Sequence, residues 1–344
     1  MTAAPLRIGM LGASRIAELA IIDASRQTGD TLAAVAARDP ERARAYAAEH
    51  GFARAADSYA DLLADDSLDL IYIGLPNALH AEWTAQALKA GRSVLVEKPF
   101  AANLPEFDRV AARLEAAEGW AWEAFHYADH PLLSRVLAIA RSGELGELRE
   151  LRLQMLMPDP GANAPRWNFD LAGGAVMDLG CYSIHAMLTI ADELGATPVL
   201  REARATGSAA DNRVDATLDA ELELVSAEAA STPIAVTLRT SMVHDGWDFG
   251  LELVGTAGSI LAPNFVKPQE DDRLIVRVGD ATREEHVGTG SSYVYQLERI
   301  RAELRDGVRD RGRLDRSRRT MALIDELYEA SGLPLRPGRL GCLG

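Results

Sequence analysis

Short apolar runs alternate with amphipathic stretches over the first third of the chain. The apolar runs predict strands over residues 6–11, 31–37, 68–73, 93–96 and 120–124. The stretches between them predict helices, and two of these have clear start signals, with Asp39 before a proline and Asn103 two residues before another. This alternation is typical of a doubly wound parallel sheet covered by helices.

The pattern changes after about residue 131. A helix over residues 132–141 leads to a long strand over residues 148–157 and to a loop rich in proline and glycine over residues 158–174. Residues 176–194 are predicted to be helical, residues 199–287 alternate with period two, and two helices close the chain. This part is predicted to be an α+β domain with a large, open, mixed or antiparallel sheet.

Composition and charge exclude several classes of partner. The net charge of −15 is spread along the chain. Arginine density rises only over residues 299–319, which also carry Asp and Glu and are interpreted as solvated helix surface, so no nucleic-acid partner is expected. Cys181 and Cys342 give neither a disulfide framework nor a metal-binding spacing, which fits a cytoplasmic protein without a metal. Residues 1–5 contain no apolar segment of signal-peptide length, and no stretch approaches 18 apolar residues, so neither export nor a membrane partner is expected.

A turn of small residues joins the first predicted strand to its helix. The dinucleotide fingerprint asks for glycine at positions 12, 14 and 17, where the turn is tight, the backbone approaches a pyrophosphate and a helix packs closely. The chain has Gly12, Ser14 and Ala17, and Ser14 could also cap the helix whose N-terminal amides would hold phosphate. Small residues can serve packing alone, but their place at the start of an α/β alternation favours a cofactor site.

Arg38 follows the second predicted strand. In dinucleotide-binding folds an acidic residue for the ribose hydroxyls normally lies at this place, about 20 residues beyond the fingerprint. A guanidinium there suits the additional phosphate of NADP, whereas Asp39 is better placed as a helix cap. The sequence therefore predicts NADP in preference to NAD. The alternative is that Arg38 is merely exposed.

Two further segments follow predicted strands at the carboxyl edge of the sheet, where ligands bind in doubly wound folds. The first contains Leu75, Pro76, Asn77 and His80. Asn77 could instead be a helix cap, and His80 a first-turn residue without a ligand. The second segment is Glu97-Lys98-Pro99. The chain has only three lysines, and a lysine, unlike an arginine, can be tuned to exchange protons, so Lys98 is the candidate for acid/base chemistry.

Together these segments resemble the Gfo/Idh/MocA family of oxidoreductases. The resemblance covers nearly the whole chain and is carried, in order, by Gly9 with Gly12 to Ala17, Pro76-Asn77 with His80, Glu97-Lys98-Pro99, Glu123-Ala124-Phe125 with His130-Pro131, and Gly173-Gly174 to Tyr182. The chain looks closest to the branch of NADP-dependent dihydrodiol dehydrogenases, aldose dehydrogenases and anhydrofructose reductases. The resemblance implies hydride transfer between a nicotinamide and a carbinol or carbonyl carbon of a sugar-like or dihydrodiol substrate.

The residues and the resemblance together give three sets of predicted site residues. The catalytic set is Lys98, Asp178 and Tyr182. The cofactor-binding set is Gly9, Gly12, Ala13, Ser14, Arg15, Ile16, Arg38, Leu75, Pro76, Asn77, His80, Glu97, Lys98 and Arg166. The substrate-binding set is Lys98, His126, Trp167, Asp178, Tyr182 and His185. Three members have a structural alternative: Arg166 could be a solvated loop residue, Trp167 a loop anchor and His185 a packing residue.

The chemistry of the catalytic set supports its role. Oxidising an alcohol removes a hydroxyl proton as hydride leaves, so an acid/base group must lie within hydrogen-bond reach of that oxygen. Tyr182 lies four residues after Asp178, hence on the same face of a helix. A neighbouring ammonium at Lys98 would lower the pKa of the phenol, and Asp178 would orient Lys98 or the substrate hydroxyl. We expect Tyr182 to move the proton, with Lys98 as second candidate; the alternative is a capping aspartate and a core tyrosine.

The chain departs from the resemblance around residues 125–130, where relatives commonly carry methionine at 126 and arginine at 128. His126 and Asp129 would give this chain a pocket of different polarity. A rival hypothesis on the same fold is a regulatory protein that senses NADP without turnover. Lys98, Asp178 and Tyr182 together argue against it, because a sensor needs none of them.

The length of 344 residues exceeds the size at which one hydrophobic core stops growing, about 250–300 residues, so two domains are expected. The change in pattern predicts a dinucleotide-binding Rossmann domain at residues 1–125 and a substrate-binding and oligomerisation domain at residues 126–344. An amphipathic sheet with helices on one side leaves apolar surface, so we expect a homodimer or a tetramer formed through this sheet.

Overall fold

The computed structural model describes residues 4–226 and 232–340, so Cys342 lies outside the described residues. The chain divides into two compact units, each with its own sheet. The first unit comprises Met1–Phe125, Tyr293–Leu314 and Gly338–Gly344, and the second comprises His126–Ser292 and Asp315–Pro337.

The first unit contains a six-stranded sheet in which every pairing is parallel. Its strands are β1 (Arg7–Leu11), β2 (Thr31–Ala36), β3 (Arg54–Ala55), β4 (Leu70–Ile73), β5 (Val94–Val96) and β6 (Ala121–Glu123). They lie in the order β3-β2-β1-β4-β5-β6, so the order reverses between β1 and β4. This is the doubly wound order of a Rossmann domain, whose ligands bind at the carboxyl ends of the strands near the reversal. The predicted N-terminal fold class is confirmed.

Helices connect these strands. They are α1 (Ala24–Thr28), which continues a π-helical stretch over Glu18–Asp23, α2 (Pro40–His50), α3 (Tyr59–Leu63), α4 (His80–Lys89) and α5 (Leu104–Leu114). Both predicted caps are confirmed, since the side chain of Asp39 accepts the Glu41 amide at 3.0 Å and that of Asn103 accepts the Glu106 amide at 3.0 Å. Each cap satisfies an amide that the first helical turn leaves without a backbone partner.

The second unit contains an eight-stranded mixed sheet. After helix α6 (Pro131–Arg141), its strands are β7 (Leu148–Leu156), β8 (Ala196–Gly207), β9 (Asp215–Ser226), β10 (Ile234–Ser241), β11 (Leu251–Gly255), β12 (Gly258–Ala262), β13 (Arg273–Val278) and β14 (Ala281–His286). They lie in the order β14-β13-β12-β11-β7-β10-β9-β8, with β7 and β10 parallel and the other neighbouring pairs antiparallel. The remaining helices are α7 (Cys181–Leu194), α8 (Ser292–Asp306) and α9 (Arg311–Ala330). The predicted α+β class with a mixed sheet is confirmed.

The exposed face of this sheet is charged. Buried and exposed residues alternate along β10, as period two requires. On the exposed side, opposite charges meet across neighbouring strands, as in Arg201 with Glu223 at 2.6 Å and Arg152 with Glu252 at 2.8 Å. The sequence predicted apolar surface here, and on this same face partly exposed apolar residues such as Leu261 and Ile275 lie beside the charged ones.

Helix α7 and the turns before it form a long apolar segment. Residues Phe169–Leu194 reach a mean hydropathy of 1.2 over an 18-residue window, which by length and composition alone would suffice to cross a membrane. That window is 94% buried inside the protein. A helix that is apolar all round and buried by its own domain has the properties of a core helix.

Candidate active site

The turn after β1 has the backbone geometry that a dinucleotide requires. Gly12 has a φ of +98°, and a Cβ there would lie 2.8 Å from the Gly74 carbonyl oxygen. Only glycine combines this conformation with so close an approach. The Gly12 amide donates to the Ala36 oxygen at 2.9 Å, which ties the turn to the end of β2. Gly9 is also confined, since a Cβ on it would lie 2.7 Å from Leu68 Cδ1.

Ser14 supplies the polar group of this turn. Its Oγ is buried and, within the part of the chain that the structure describes, has no hydrogen-bond partner. It lies 2.7 Å from where a Cβ on Gly74 would be, so glycine at 74 makes room for it. A buried hydroxyl without a partner is costly unless a ligand satisfies it, and a phosphate oxygen is a suitable acceptor. Ile16 is 41% exposed and offers apolar surface beside the turn. The turn, with its glycine and its buried hydroxyl, therefore fits a nicotinamide dinucleotide.

Two arginines lie around the start of α2. Arg38 is exposed directly after the buried end of β2, and Arg42 donates from Nη2 to the Ala13 oxygen at 2.5 Å. Burial raises the pKa of Tyr59, while the charges of Arg38 and Arg42 oppose that rise, so both guanidiniums lie near one phenol. Sequence reasoning missed Arg42, although its position four residues after Arg38 was a usable signal.

His80 connects the loops that follow β4 and β5. Its Nδ1 lies 2.7 Å from the Pro99 oxygen and its Nε2 lies 2.7 Å from the Leu75 oxygen. Burial lowers the pKa of His80 to about 4, so the imidazole is neutral at neutral pH and one of its nitrogens carries the proton. Asn77 begins a 3₁₀ turn between Leu75 and His80. His80 thus contacts both segments that the sequence predicted to bind the cofactor, and its single N–H donates to one of the two carbonyl oxygens.

Lys98 follows β5 at the carboxyl edge of the sheet and is half-buried. Hydrogen bonds fix the residues on both sides of it. The Glu97 carboxylate accepts the Tyr72 hydroxyl at 2.8 Å, and the Glu123 carboxylate accepts the Phe100 amide at 2.7 Å. The backbone that carries Lys98 is therefore held at the edge where doubly wound sheets bind their ligands.

In the second unit, Asp178 lies in a π-helical turn over Val176–Gly180 that leads into α7. Its Oδ2 accepts Nε of Arg166 at 2.6 Å, with the two side chains 17% and 46% exposed. The sequence predicted an ordinary helical turn, whereas the structure has the wider π-helical turn that is frequent at functional sites. Two predicted site residues, one from the loop and one from the helix, are thus brought together.

Tyr182 lies in the first turn of α7 and is 8% exposed. Its hydroxyl is 3.3 Å from Nε2 of His126, which is buried. On the other side of the ring, His126 Nδ1 lies 2.8 Å from Ser292 Oγ, and Ser292 donates to Gln269 Oε1 at 3.0 Å. The structure therefore joins two predicted site residues in a buried chain of hydrogen bonds. Sequence reasoning missed Ser292 and Gln269, which no motif marks.

His185 and Trp167 make contacts within the second unit. His185 is 4% exposed, with Nδ1 at 2.7 Å from the Tyr127 hydroxyl. The Trp167 indole N–H donates to Asp159 Oδ1 at 3.2 Å in the same loop. These contacts fit the packing and anchoring alternatives, and the substrate-binding roles of both residues stay predictions.

A buried ion pair holds the segment that leads into α7. Asp215 Oδ2 accepts the Val176 amide at 2.7 Å, and its Oδ1 accepts Nη2 of Arg336 at 2.5 Å and the Tyr328 hydroxyl at 3.0 Å. Arg336 Nε donates to the Gly173 oxygen at 2.6 Å, and both charged side chains are 0% exposed. The predicted Gly-Gly block is therefore fixed by two charges that sequence reasoning did not single out.

Two family models match the chain. The Gfo/Idh/MocA oxidoreductase family with an NAD-binding Rossmann fold matches residues 6–125, and the Gfo/Idh/MocA C-terminal domain matches residues 133–261.

Individual relatives agree with these matches. A D-xylose 1-dehydrogenase (NADP(+)) 2 from Haloferax volcanii is 43% identical over 183 residues, which is 53% of this chain and little more than half, 56%, of that protein. A dTDP-3,4-didehydro-2,6-dideoxy-alpha-D-glucose 3-reductase from Streptomyces violaceoruber is 33% identical over 282 residues, 80% of this chain and 78% of that protein. The crystal structure of a 3-ketoreductase from Actinomadura kijaniata in complex with NADP and TDP-benzene has the same fold, with a TM-score of 0.86 at 23% identity over 95% of this chain and 98% of that one. The chain therefore belongs to the Gfo/Idh/MocA family of oxidoreductases.

Proposed function

We propose that the chain transfers hydride between NADP and a carbinol or carbonyl carbon of a sugar-like or dihydrodiol substrate. The observation that carries the proposal is a glycine turn at Gly12 that fits a dinucleotide, in a chain that also has Lys98 at the carboxyl edge of the same sheet. The xylose dehydrogenase and the 3-reductase are named for a sugar and a nucleotide-linked sugar, which supports a sugar-like substrate.

The chain's own residues handle the proton. When bound, the nicotinamide supplies or accepts the hydride. Tyr182 takes the hydroxyl proton as an alcohol is oxidised and returns it in the reverse reaction, and Lys98 is the second candidate for this role. Asp178 orients the substrate hydroxyl, and its ion pair with Arg166 fixes the carboxylate.

Binding is assigned to two groups of residues. Cofactor binding is assigned to Gly9, Gly12, Ala13, Ser14, Arg15, Ile16, Leu75, Pro76, Asn77, His80, Glu97, Lys98 and Arg166. Substrate binding is assigned to Lys98, His126, Trp167, Asp178, Tyr182 and His185.

The preference for NADP over NAD is assigned to Arg38, with Arg42 beside it. Asp39, the nearest acid, caps α2 and is not available to the ribose hydroxyls of NAD. A hydrogen bond to a charged group contributes about 1.5–3 kcal/mol, so Arg38→Ala should weaken NADPH binding by about 10- to 100-fold and leave NADH binding unchanged. Arg44→Ala, also on α2 and paired with Glu41, is the matched control. An unchanged ratio of NADPH to NADH affinity would overturn this assignment.

Turnover across a panel of aldoses, polyols and dihydrodiols, followed by the absorbance of NADPH, tests the activity. The wild type should turn over at least one member of the panel, and Lys98→Met should not. Lys89→Met, which removes an exposed lysine at the end of α4, should leave turnover intact. NADP binding without turnover anywhere on the panel would favour the regulatory protein instead.

Domain bounds, assembly and location complete the proposal. We assign dinucleotide binding to residues 1–125, and substrate binding and oligomerisation to residues 126–344, of which Tyr293–Leu314 and Gly338–Gly344 belong to the first compact unit. The protein is assigned to the cytoplasm. We assign the exposed face of the second sheet to pairing with a second copy, which gives a homodimer or a tetramer. A monomeric mass by light scattering at micromolar concentration would contradict this.

A further inference from the structure

We infer that Tyr182 passes its proton to His126 during turnover, so that the two residues act as one acid/base pair. The inference rests on the proposed function, because it needs Tyr182 to exchange a proton with the substrate. Its structural part, the direction of the hydrogen bonds, can be tested without turnover.

The hydrogen-bond direction follows from the far end of the chain of contacts. Gln269 Oε1 can only accept, so the Ser292 hydroxyl donates its one proton to it at 3.0 Å. Ser292 Oγ also lies 2.8 Å from Nδ1 of His126. With the Gln269 amide oxygen assigned to face Ser292, the hydroxyl proton is already used, so Nδ1 carries a proton and donates to Ser292. A neutral imidazole has one N–H, so Nε2 keeps a lone pair.

That lone pair faces Tyr182. The distance from His126 Nε2 to the Tyr182 hydroxyl is 3.3 Å, so the phenol donates and the imidazole accepts. His126 is 2% exposed and Ser292 is 0% exposed, so bulk water does not compete for these bonds. Two ionisable groups of the second unit lie near the pair: Tyr127, whose ring centroid is 5.9 Å from that of Tyr182, and His185, which is bonded to Tyr127. Asp178, one turn earlier, is paired with Arg166.

In the oxidation direction, the substrate O–H bond breaks and its proton bonds to the Tyr182 oxygen. At the same time, the phenol's own proton bonds to His126 Nε2. The electron pair of the substrate C–H bond leaves with hydrogen as hydride to the NADP of the proposed function, and the O–H electron pair forms the carbonyl π bond. The product is an imidazolium that still donates from Nδ1 to Ser292. In reduction every transfer reverses.

His126 is therefore a positioning residue that acts through Tyr182. It orients the phenol proton and gives it a base whose ordinary pKa, about 6.5, is closer to neutral pH than that of a phenol, about 10.

Nitrogen-15 NMR of the histidine rings in cofactor-free protein tests the hydrogen-bond direction, with the His126 signals assigned from His126→Gln. At neutral pH we expect His126 to be protonated on Nδ1 and not on Nε2. Ser292→Ala removes the acceptor and should shift the proton toward Nε2. A proton on Nε2 in the wild type would overturn the inference.

Kinetics with a substrate from the panel test the proton transfer. In His126→Gln an amide can still contact Tyr182 but cannot take its proton, so kcat for oxidation should fall about 10²-fold with an unchanged KM for the cofactor. The pH profile of kcat should also differ from that of the wild type. His286→Gln, with its exposed ring in the same unit, should leave both unchanged. A His126→Gln variant with wild-type kcat and pH profile would overturn the pair and leave the proposed function standing. A wild type without turnover would instead overturn the proposed function.

Discussion

Replacing Arg336 with methionine removes a charge from the interior of the second unit. Arg336 pairs with Asp215 at 2.5 Å, and both side chains are 0% exposed. The guanidinium also lies 3.9 Å from the Tyr328 ring centroid and donates to the Gly173 oxygen at 2.6 Å. Methionine is an unbranched, uncharged side chain. The variant therefore leaves the Asp215 carboxylate buried without its cation, with the Tyr328 hydroxyl and the Val176 amide as donors.

The cost follows from this burial. Removing one member of a buried pair destabilises by about 3–5 kcal/mol, because the other charge stays uncompensated. Domains are stable by about 5–15 kcal/mol, so the loss is a large fraction. Burial raises the pKa of Asp215, so the folded variant can relieve the charge by binding a proton. The stabilisation that this proton provides is complete below the pKa of aspartate in the unfolded chain. It is lost as the pH rises through the raised pKa of Asp215 in the folded variant. The variant should therefore lose stability from acidic to neutral pH.

Urea unfolding followed by circular dichroism, at pH values from about 4 to 8, measures both effects. Arg204→Met is the matched control, because this side chain is 71% exposed and its loss should change stability by no more than about 0.5 kcal/mol. An Arg336→Met variant within about 1 kcal/mol of the wild type at neutral pH, or one whose loss of stability relative to the wild type shrinks from acidic to neutral pH, would refute this prediction.

Two further predictions concern the first unit. Gly12→Ala places a methyl group 2.8 Å from the Gly74 oxygen at a φ of +98°, so NADPH binding in a fluorescence titration should weaken by at least about tenfold. Gly29→Ala, also at positive φ but with open space around its Cβ, should bind NADPH as the wild type does; equal affinity in the two variants would contradict the close approach. Glu106 is buried and accepts two backbone amides, so Glu106→Gln turns an acceptor into a donor and should lower the free energy of unfolding by about 1–3 kcal/mol. Glu118→Gln, at an exposed position, should not change the free energy of unfolding. A Glu106→Gln variant as stable as the wild type would show that these two hydrogen bonds contribute little.

Apolar periodicity predicted most of the first sheet, because a strand buried on both faces is an unbroken apolar run. The runs over residues 68–73 and 93–96 contain β4 and β5. The same logic missed β3, since the two residues Arg54–Ala55 carry no period. The helix predicted over residues 176–194 is in the right place, but its first turn is π-helical, which an apolar pattern does not distinguish from an α-helical turn.

The contacts that complete the candidate site join positions far apart in the chain. His126 and Ser292 are 166 residues apart, and Asp215 and Arg336 are 121 residues apart. Local spacing does not encode such pairs, because the fold alone decides which side chains meet. Motifs identified Asp178 and Tyr182 as candidates, but not the side chains to which they are bonded.

We propose that Lys98 serves hydride transfer from a nicotinamide to a carbonyl carbon. The most direct measurement is mass spectrometry of the product formed from a keto substrate and NADPH deuterated at the transferred position. We predict one deuterium on the new carbinol carbon with the wild type, and formation of that product at least about 10²-fold more slowly with Lys98→Met. A product without deuterium at that carbon, or labelled product formed by Lys98→Met at the wild-type rate, would contradict the account.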